Sequence, residues 1–125
     1  PIPVPHGVPA VGLQVSSHQA TLFYTGATGK GLASAWRWIH PDILIVEVTL
    51  SDEREEQAIE AGHMTPGILQ KELTLFQKEK GYLPRVVTVH MHPAMERDIR
   101  RELAQVSREL EVEIVPGHED LKLTL

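Results

Sequence analysis

The sequence contains no cysteine, which excludes disulfides and thiolate metal sites and leaves histidine and carboxylate side chains as the only strong metal ligands. No apolar run approaches the roughly 20 residues that cross a bilayer, and no signal-peptide pattern opens the chain. Basic residues number 12 against 17 acidic ones, and the net charge of −5 argues against a nucleic-acid interface built on bulk charge. These absences predict a soluble, cytoplasmic protein with no membrane partner.

The composition is that of a folded chain of 125 residues, 42% hydrophobic and 23% charged, with no internal repeat and no linker that would divide it. We therefore treat residues 1–125 as one unit. The chain opens on Pro1 without an initiator methionine, and we interpret this as a sequence entered midway, either a fragment of a longer protein or one chain of a split protein.

Hydrophobic periodicity predicts alternating strands and helices. We expect strands over residues 11–16, 20–24, 43–48, 85–89, 113–115 and 121–125, and helices over residues 32–39, 52–61, 66–80 and 94–110. Thr65 followed by Pro66 is typical of a helix start, and Gly62 and Gly81 are typical helix ends. The pattern indicates a layered α/β fold.

Residues that can carry chemistry lie where these elements end, which is where sites collect in such folds. Glu47 ends an apolar strand, so its carboxylate requires a partner or a wet cavity. His63 lies between two helices, and His90 and His92 follow a strand. Because His90 and His92 alternate, at most one of them is expected to point into a given site. A structural salt bridge for Glu47 and a plain connecting role for His63 are the simpler alternatives.

Five motifs, taken in order, resemble the second half of metallo-β-lactamase-fold phosphodiesterases, namely ribonuclease Z, which processes tRNA 3′ ends, and the class II cyclic-nucleotide phosphodiesterases. The matching segments are His6-Gly7, Tyr24-Thr25-Gly26-Ala27-Thr28-Gly29, Val46-Glu47-Val48-Thr49, Gly62-His63-Met64-Thr65 and Thr88-Val89-His90. The resemblance covers nearly the whole chain. It implies half of an αββα sandwich, that is, a mixed sheet with helices on one face, with the N-terminal half outside this chain.

The resemblance also implies catalytic and metal-binding roles. His6 and His90 match histidine ligands of a dinuclear centre that holds two divalent ions, with Zn²⁺ the first expectation and Mn²⁺ or iron as alternatives. Glu47 and His63 match a pair thought to orient a proton donor for the leaving group. The implied reaction is hydrolysis of a phosphodiester by a metal-activated water.

Two more residues match the family's motifs, and at two places the sequence differs from them. Thr49 and Thr65 match residues that contact the substrate phosphate, and Thr65 opens a helix whose N–H groups favour anions. Ala27 stands where the family has the aspartate that bridges the two metals, and a methyl group cannot coordinate a metal. The family's His-x-His-x-Asp-His motif belongs to the N-terminal half and has no counterpart in this sequence.

Three functions therefore stay open. The first is a metal-dependent hydrolase of the phosphodiesterase type, active once joined to its N-terminal half, on a small phosphodiester or an RNA. The second keeps the fold and hydrolyses a lactone or a thioester. The third is a catalytically inactive binding or assembly module, which Ala27 favours. Half of the sandwich would leave one sheet face bare, so we expect the N-terminal half as a partner, with a homodimer as the second choice.

Overall fold

The computed structural model describes residues 2–4, 10–26, 36 and 38–117 of the chain. Within these residues, six strands form one sheet in sequence order. They are β1 (Ile2–Val4), β2 (Ala10–Ser16), β3 (Thr21–Tyr24), β4 (Ile43–Glu47), β5 (Arg85–Val89) and β6 (Ile114–Pro116). The α-helices whose bounds lie within the described residues are α1 (Glu55–Ala61), α2 (Pro66–Lys80) and α3 (Glu96–Leu110), and short 3-10 turns at Asp52–Arg54 and Pro93–Met95 lead into α1 and α3.

The sheet is mixed. β1, β2 and β3 pair antiparallel, whereas β3, β4, β5 and β6 pair parallel. Parallel neighbours require crossover connections, and the chain supplies α1 and α2 between β4 and β5, and α3 between β5 and β6. Among the described residues, none of these helices has the length and apolar character needed to cross a bilayer.

One face of the sheet forms the core with the helices. Strand residues at alternate positions are fully buried against apolar side chains of α2 and α3, as the period of two for strands requires. The core residues with essentially no exposure include Phe23, Leu44, Val46 and Val86 from the strands and Leu69, Leu73, Phe76, Ile99 and Leu103 from the helices. Trp36 packs edge-on against Phe76, with ring centroids 5.0 Å apart. The helical layer therefore lies on this face.

The opposite face carries the other half of each strand's side chains. Residues such as Tyr24, Ile45 and Val89 are half-buried there, and in β2 Leu13 is 54% and Val15 43% exposed. No helix in the described residues covers this face. The prediction of a mixed sheet with helices on one face is therefore confirmed.

Most predicted elements match the structure to within one to three residues. The strand over residues 85–89 and the helix over residues 66–80 have the predicted bounds. The strand β1 was not predicted from the sequence. It contains Pro3, which has no N–H to donate, and it lies at the sheet edge, where a strand tolerates proline. The strand predicted over residues 121–125 and most of the helix predicted over residues 32–39 lie outside the described residues.

Helix ends follow the predicted signals. The Thr65 side chain accepts a hydrogen bond from the Ile68 N–H at 3.2 Å, and Pro66 takes the first helical position of α2. Gly62 and Gly81 end α1 and α2 in the left-handed region, with φ of 73° and 80°. A Cβ at either position would sit on a strained backbone, which accounts for glycine there.

The leucines of α2 allow a matched test of the core. Leu69→Ala is expected to lower the free energy of unfolding by about 2–5 kcal/mol, because it removes a fully buried side chain and leaves a cavity. Leu75→Ala, on the same helix but 46% exposed, is expected to change it by less than about 1 kcal/mol. Urea unfolding of both variants measures the difference, and equal losses would contradict the packing described.

The helix cap allows a second test. Thr65→Ala is expected to lower the free energy of unfolding by about 1 kcal/mol, since the Ile68 N–H loses its acceptor. Thr65→Ser retains the hydroxyl oxygen and serves as the control. Thermal unfolding of the two variants gives the comparison, and a serine variant as unstable as the alanine variant would show that the lost methyl group, not the cap, matters.

Candidate functional site

The parallel strands β3, β4 and β5 end at one edge of the sheet, so the residues that follow them are neighbours. Backbone hydrogen bonds continue past the strand ends, from Thr25 N to Ile45 O at 3.0 Å and from Val48 N to Val89 O at 3.1 Å. Thr25 and the residues after Glu47 and Val89 therefore converge there. This edge is where open α/β sheets place their ligands.

Glu47 lies at the centre of this edge on the face away from the helices. Its side chain is 15% exposed, and its Oε1 accepts a hydrogen bond from the Tyr24 hydroxyl at 3.3 Å. The Nδ1 of His90 lies 3.9 Å from the same oxygen. Since Tyr24 pairs with Ile45, two positions before Glu47, its long side chain reaches the carboxylate diagonally across one strand. The half-buried carboxylate thus has the partners that the sequence required of it.

The Tyr24 hydroxyl is held as a donor. Burial raises the pKa of Tyr24 above its ordinary value, and the negative charge of Glu47 and the hydrogen bond to it raise that pKa further. All three effects disfavour the phenolate, because it would be poorly hydrated and would lie next to a carboxylate. The phenol therefore stays protonated at neutral pH and keeps its bond to Glu47.

His90 follows β5 with an unusual backbone conformation. Its φ is 65°, in the left-handed region that non-glycine residues rarely adopt, and its side chain is 66% exposed. This turn redirects the chain as it leaves the sheet. The imidazole lies against the Glu47 carboxylate on the Nδ1 side, and among the described residues no hydrogen bond reaches its Nε2.

The loops around the edge are tied together at Thr49. Its N–H donates to Met64 O at 3.1 Å, and its carbonyl accepts from His92 N at 2.9 Å, so the segment after α1 and the segment after β5 meet at this residue. The Thr49 hydroxyl is buried without a hydrogen-bond partner among the described residues. The predicted contact of Thr49 with a substrate phosphate stays a prediction.

His63 lies in the segment joined to Thr49. It is half-buried, directly after the left-handed Gly62, and its N–H donates to Ala58 O at 2.8 Å. The structure brings His63 and Glu47 to the same edge. The polar contacts of Glu47 with described residues are to Tyr24 and His90, and its pairing with His63 stays a prediction.

Thr65 is fully buried, and its oxygen is used as the helix cap. The next free N–H of α2, that of Gly67, donates to Asp52 Oδ1 at 2.6 Å. A phosphate at this helix N-terminus would have to displace both groups. The proposed phosphate contact of Thr65 stays a prediction, and Thr49 has the more available hydroxyl of the two.

His6 and Ala27 lie outside the described residues. Within the part of the chain that the structure describes, no three histidine, aspartate or glutamate side chains come together as a metal site. His90 has its Nδ1 facing the Glu47 carboxylate, and no described residue bonds its Nε2, which is compatible with a histidine that binds a metal through Nε2. The metal-ligand roles of His6 and His90 stay predictions.

Tyr24 is the member of this edge to which sequence analysis gave no role, although it stands in one of the matching motifs. Its contact with Glu47 joins residues 23 positions apart and depends on how β3 pairs with β4. The sequence signal that could have identified the contact is a tyrosine at the end of one strand and a glutamate at the end of the next. Once the strands are paired, the two side chains share a face.

Comparison with known proteins gives matches at the level of structure only. No family model matches the chain, and no curated protein matches it by sequence. The metallo-β-lactamase fold protein YhfI from Bacillus subtilis superposes with a TM-score of 0.71 at 17% identity, over 96% of this chain and 46% of that one. Human tRNase Z, short form (ELAC1), superposes with a TM-score of 0.65 at 20% identity, over 98% of this chain and 40% of that one.

The chain thus spans less than half the length of each of these structures while matching nearly all of its own. The mixed sheet, its single helical layer and both superpositions agree with one another. This chain has the metallo-β-lactamase fold, of which it forms one half.

Proposed function

We propose that this chain is the C-terminal half of a metal-dependent hydrolase of the phosphodiesterase type. The observation that carries the proposal is the His90 imidazole at the end of β5, with the Glu47 carboxylate 3.9 Å behind its Nδ1. The metallo-β-lactamase fold supports it, as does tRNase Z among the similar structures, since it is named for action on tRNA. The reaction class comes from this likeness and from the matching motifs.

In this proposal His6 and His90 are metal ligands, and two divalent ions, most simply Zn²⁺, complete the centre with residues from the other half. Such ions lower the pKa of water and neutralise charge on the phosphate. His63, supported by Glu47, would protonate the leaving oxygen. Glu47 uses only Oε1 for Tyr24 and His90, which leaves Oε2 to accept from His63.

The substrate phosphate would lie against Thr49. Its hydroxyl is buried at the junction of the two loops and has no partner among the described residues, so donation to a phosphate oxygen would satisfy it. Thr65 would contribute mainly by fixing the start of α2. A small phosphodiester and an RNA end both fit this arrangement.

The partner is the N-terminal half of the same fold, as a separate or cleaved chain, with a second copy of this chain as the other choice. The face that holds Tyr24 and Glu47 also exposes Leu13 and Val15. Apolar area of this kind favours association at about 25 cal/mol per Å² buried. A second candidate function, a catalytically inactive assembly module, is favoured by Ala27, which cannot bridge two metals.

Activity is tested on the assembled domain. The Ala27→Asp variant, joined to an N-terminal half that carries His-x-His-x-Asp-His, is expected to hydrolyse bis(p-nitrophenyl) phosphate with Mn²⁺ or Zn²⁺. His90→Ala in that background is expected to lower the rate at least about 100-fold, because a ligand is lost. His92→Ala is the matched control, since the His92 ring faces Ala94 N. No hydrolysis with either metal, or equal rates for both variants, would contradict the proposal, and faster turnover of a lactone would favour the alternative hydrolase.

Association is tested on the chain alone. Size exclusion with light scattering is expected to give a mass above the 14.0 kDa of one chain, because burial of the exposed apolar face against a second molecule is favourable. Leu13→Lys with Val15→Lys is expected to restore the monomer mass or weaken binding of the N-terminal half. Leu75→Lys, an exposed leucine on α2, is the control. A stable wild-type monomer that binds no N-terminal half would rule out both partners.

A further inference from the structure

The geometry points to Tyr24 as a positioning residue: we propose that its hydroxyl fixes the Glu47 carboxylate, which in turn holds the proton of His90 on Nδ1 and leaves Nε2 as the free electron-pair donor. The observation is the line of three groups, with 3.3 Å between the Tyr24 hydroxyl and Glu47 Oε1 and 3.9 Å between that oxygen and His90 Nδ1. The consequence for metal binding rests on the function proposed above; the tautomer itself does not.

The Tyr24 hydroxyl restrains the Glu47 carboxylate. Glu47 is 15% exposed at a strand end, and a glutamate has three rotatable bonds by which its oxygens could turn elsewhere. The Tyr24 hydroxyl comes from the neighbouring strand and can only donate to an ionised carboxylate. Because the tyrosine ring is itself half-buried beside β4, the bond restrains Oε1 at one position.

The Glu47 carboxylate determines which ring nitrogen of His90 carries the hydrogen. A neutral imidazole has one N–H and one lone pair, and a neighbouring group decides which nitrogen carries which. An acceptor-only carboxylate 3.9 Å from Nδ1 favours the hydrogen on Nδ1, because the N–H group then points its positive end at the negative charge. The lone pair then lies on Nε2, which has no partner among the described residues.

His92, two residues after His90, differs from it in which ring nitrogen carries the hydrogen. The Nδ1 of His92 accepts a hydrogen bond from the Ala94 N–H at 3.2 Å, so that nitrogen holds a lone pair and the hydrogen lies on Nε2. The two histidines of this His-x-His pair therefore carry opposite tautomers. Only His90 presents Nε2 as a ligand, and this distinguishes the metal-ligating histidine from the one that caps a turn.

Nuclear magnetic resonance measures the tautomers directly, in the wild-type chain without metal. Long-range ¹H–¹⁵N correlation, recorded on the high-pH plateau of the imidazole signals, separates ring nitrogens that carry a hydrogen from those that carry a lone pair. We expect mostly the Nδ1–H form at His90 and mostly the Nε2–H form at His92. His18, exposed in the turn after β2, is the reference without a described partner.

Two variants test the positioning step. Tyr24→Phe removes one hydroxyl and is expected to lower the Nδ1–H to Nε2–H ratio of His90 by about twofold to tenfold, the range for one lost hydrogen bond. Glu47→Ala is expected to bring that ratio to the value of His18. Tyr82→Phe, whose hydroxyl donates to Pro41 O, is the matched control and leaves His90 unchanged.

The proposal is overturned if His90 and His18 have equal ratios in the wild-type chain, a comparison that needs no variant, or if Tyr24→Phe leaves His90 unchanged while the amide spectrum shows a folded protein. Zinc titration of the assembled domain separates this inference from the proposed function. A Nδ1–H tautomer at His90 with no zinc bound would refute the hydrolase and leave the Tyr24 role standing.

Discussion

The parallel pairing of β3, β4 and β5 is the constraint on which the candidate site depends. Their register aligns Tyr24 with Ile45 and Glu47 with Val89, so two polar groups share the face away from the helices. A slip of one residue in β4 would turn Glu47 into the core and Ile45 with it, because side chains alternate between faces. The cost of an unpartnered buried carboxylate opposes that slip. The apolar residues of β4 therefore set the direction in which Glu47 points.

The two faces of the sheet differ in a way that bears on function. On the helical face Phe23, Leu44 and Val46 have no exposed area, whereas the other face combines half-buried apolar residues with the polar groups of the site. A partner on that second face would bury the apolar residues and the edge around Glu47 together. Assembly and the exclusion of water from the site would then be one event.

The sequence predicted the elements well where local signals were strong. The β-branched run of β5, the capping Thr65 with Pro66, and the left-handed Gly62 each follow from chemistry within a few residues. β1 was missed because Pro3 argues against a strand unless the place of β1 at the sheet edge is known, and that place depends on pairing with β2.

The same contrast between local signals and strand pairing applies to the residues of the candidate site. Motifs identified Glu47, His63 and His90 as residues at element ends, and the structure brings them to one edge. The contact of Tyr24 with Glu47 was beyond prediction, because it depends on the register between strands 23 residues apart. The left-handed backbone of His90 was also beyond prediction, since histidine gives no signal for it.

The segment between α1 and α2 has a further consequence for any ligand that meets it. The segment consists of only two residues, His63 and Met64. Gly62 ends the helix before it, and Thr65 caps the helix after it. Met64 O also accepts hydrogen bonds from Thr49 N and Leu50 N. The backbone at His63 therefore loses its conformational entropy when the protein folds, and a substrate that binds there need not order it again.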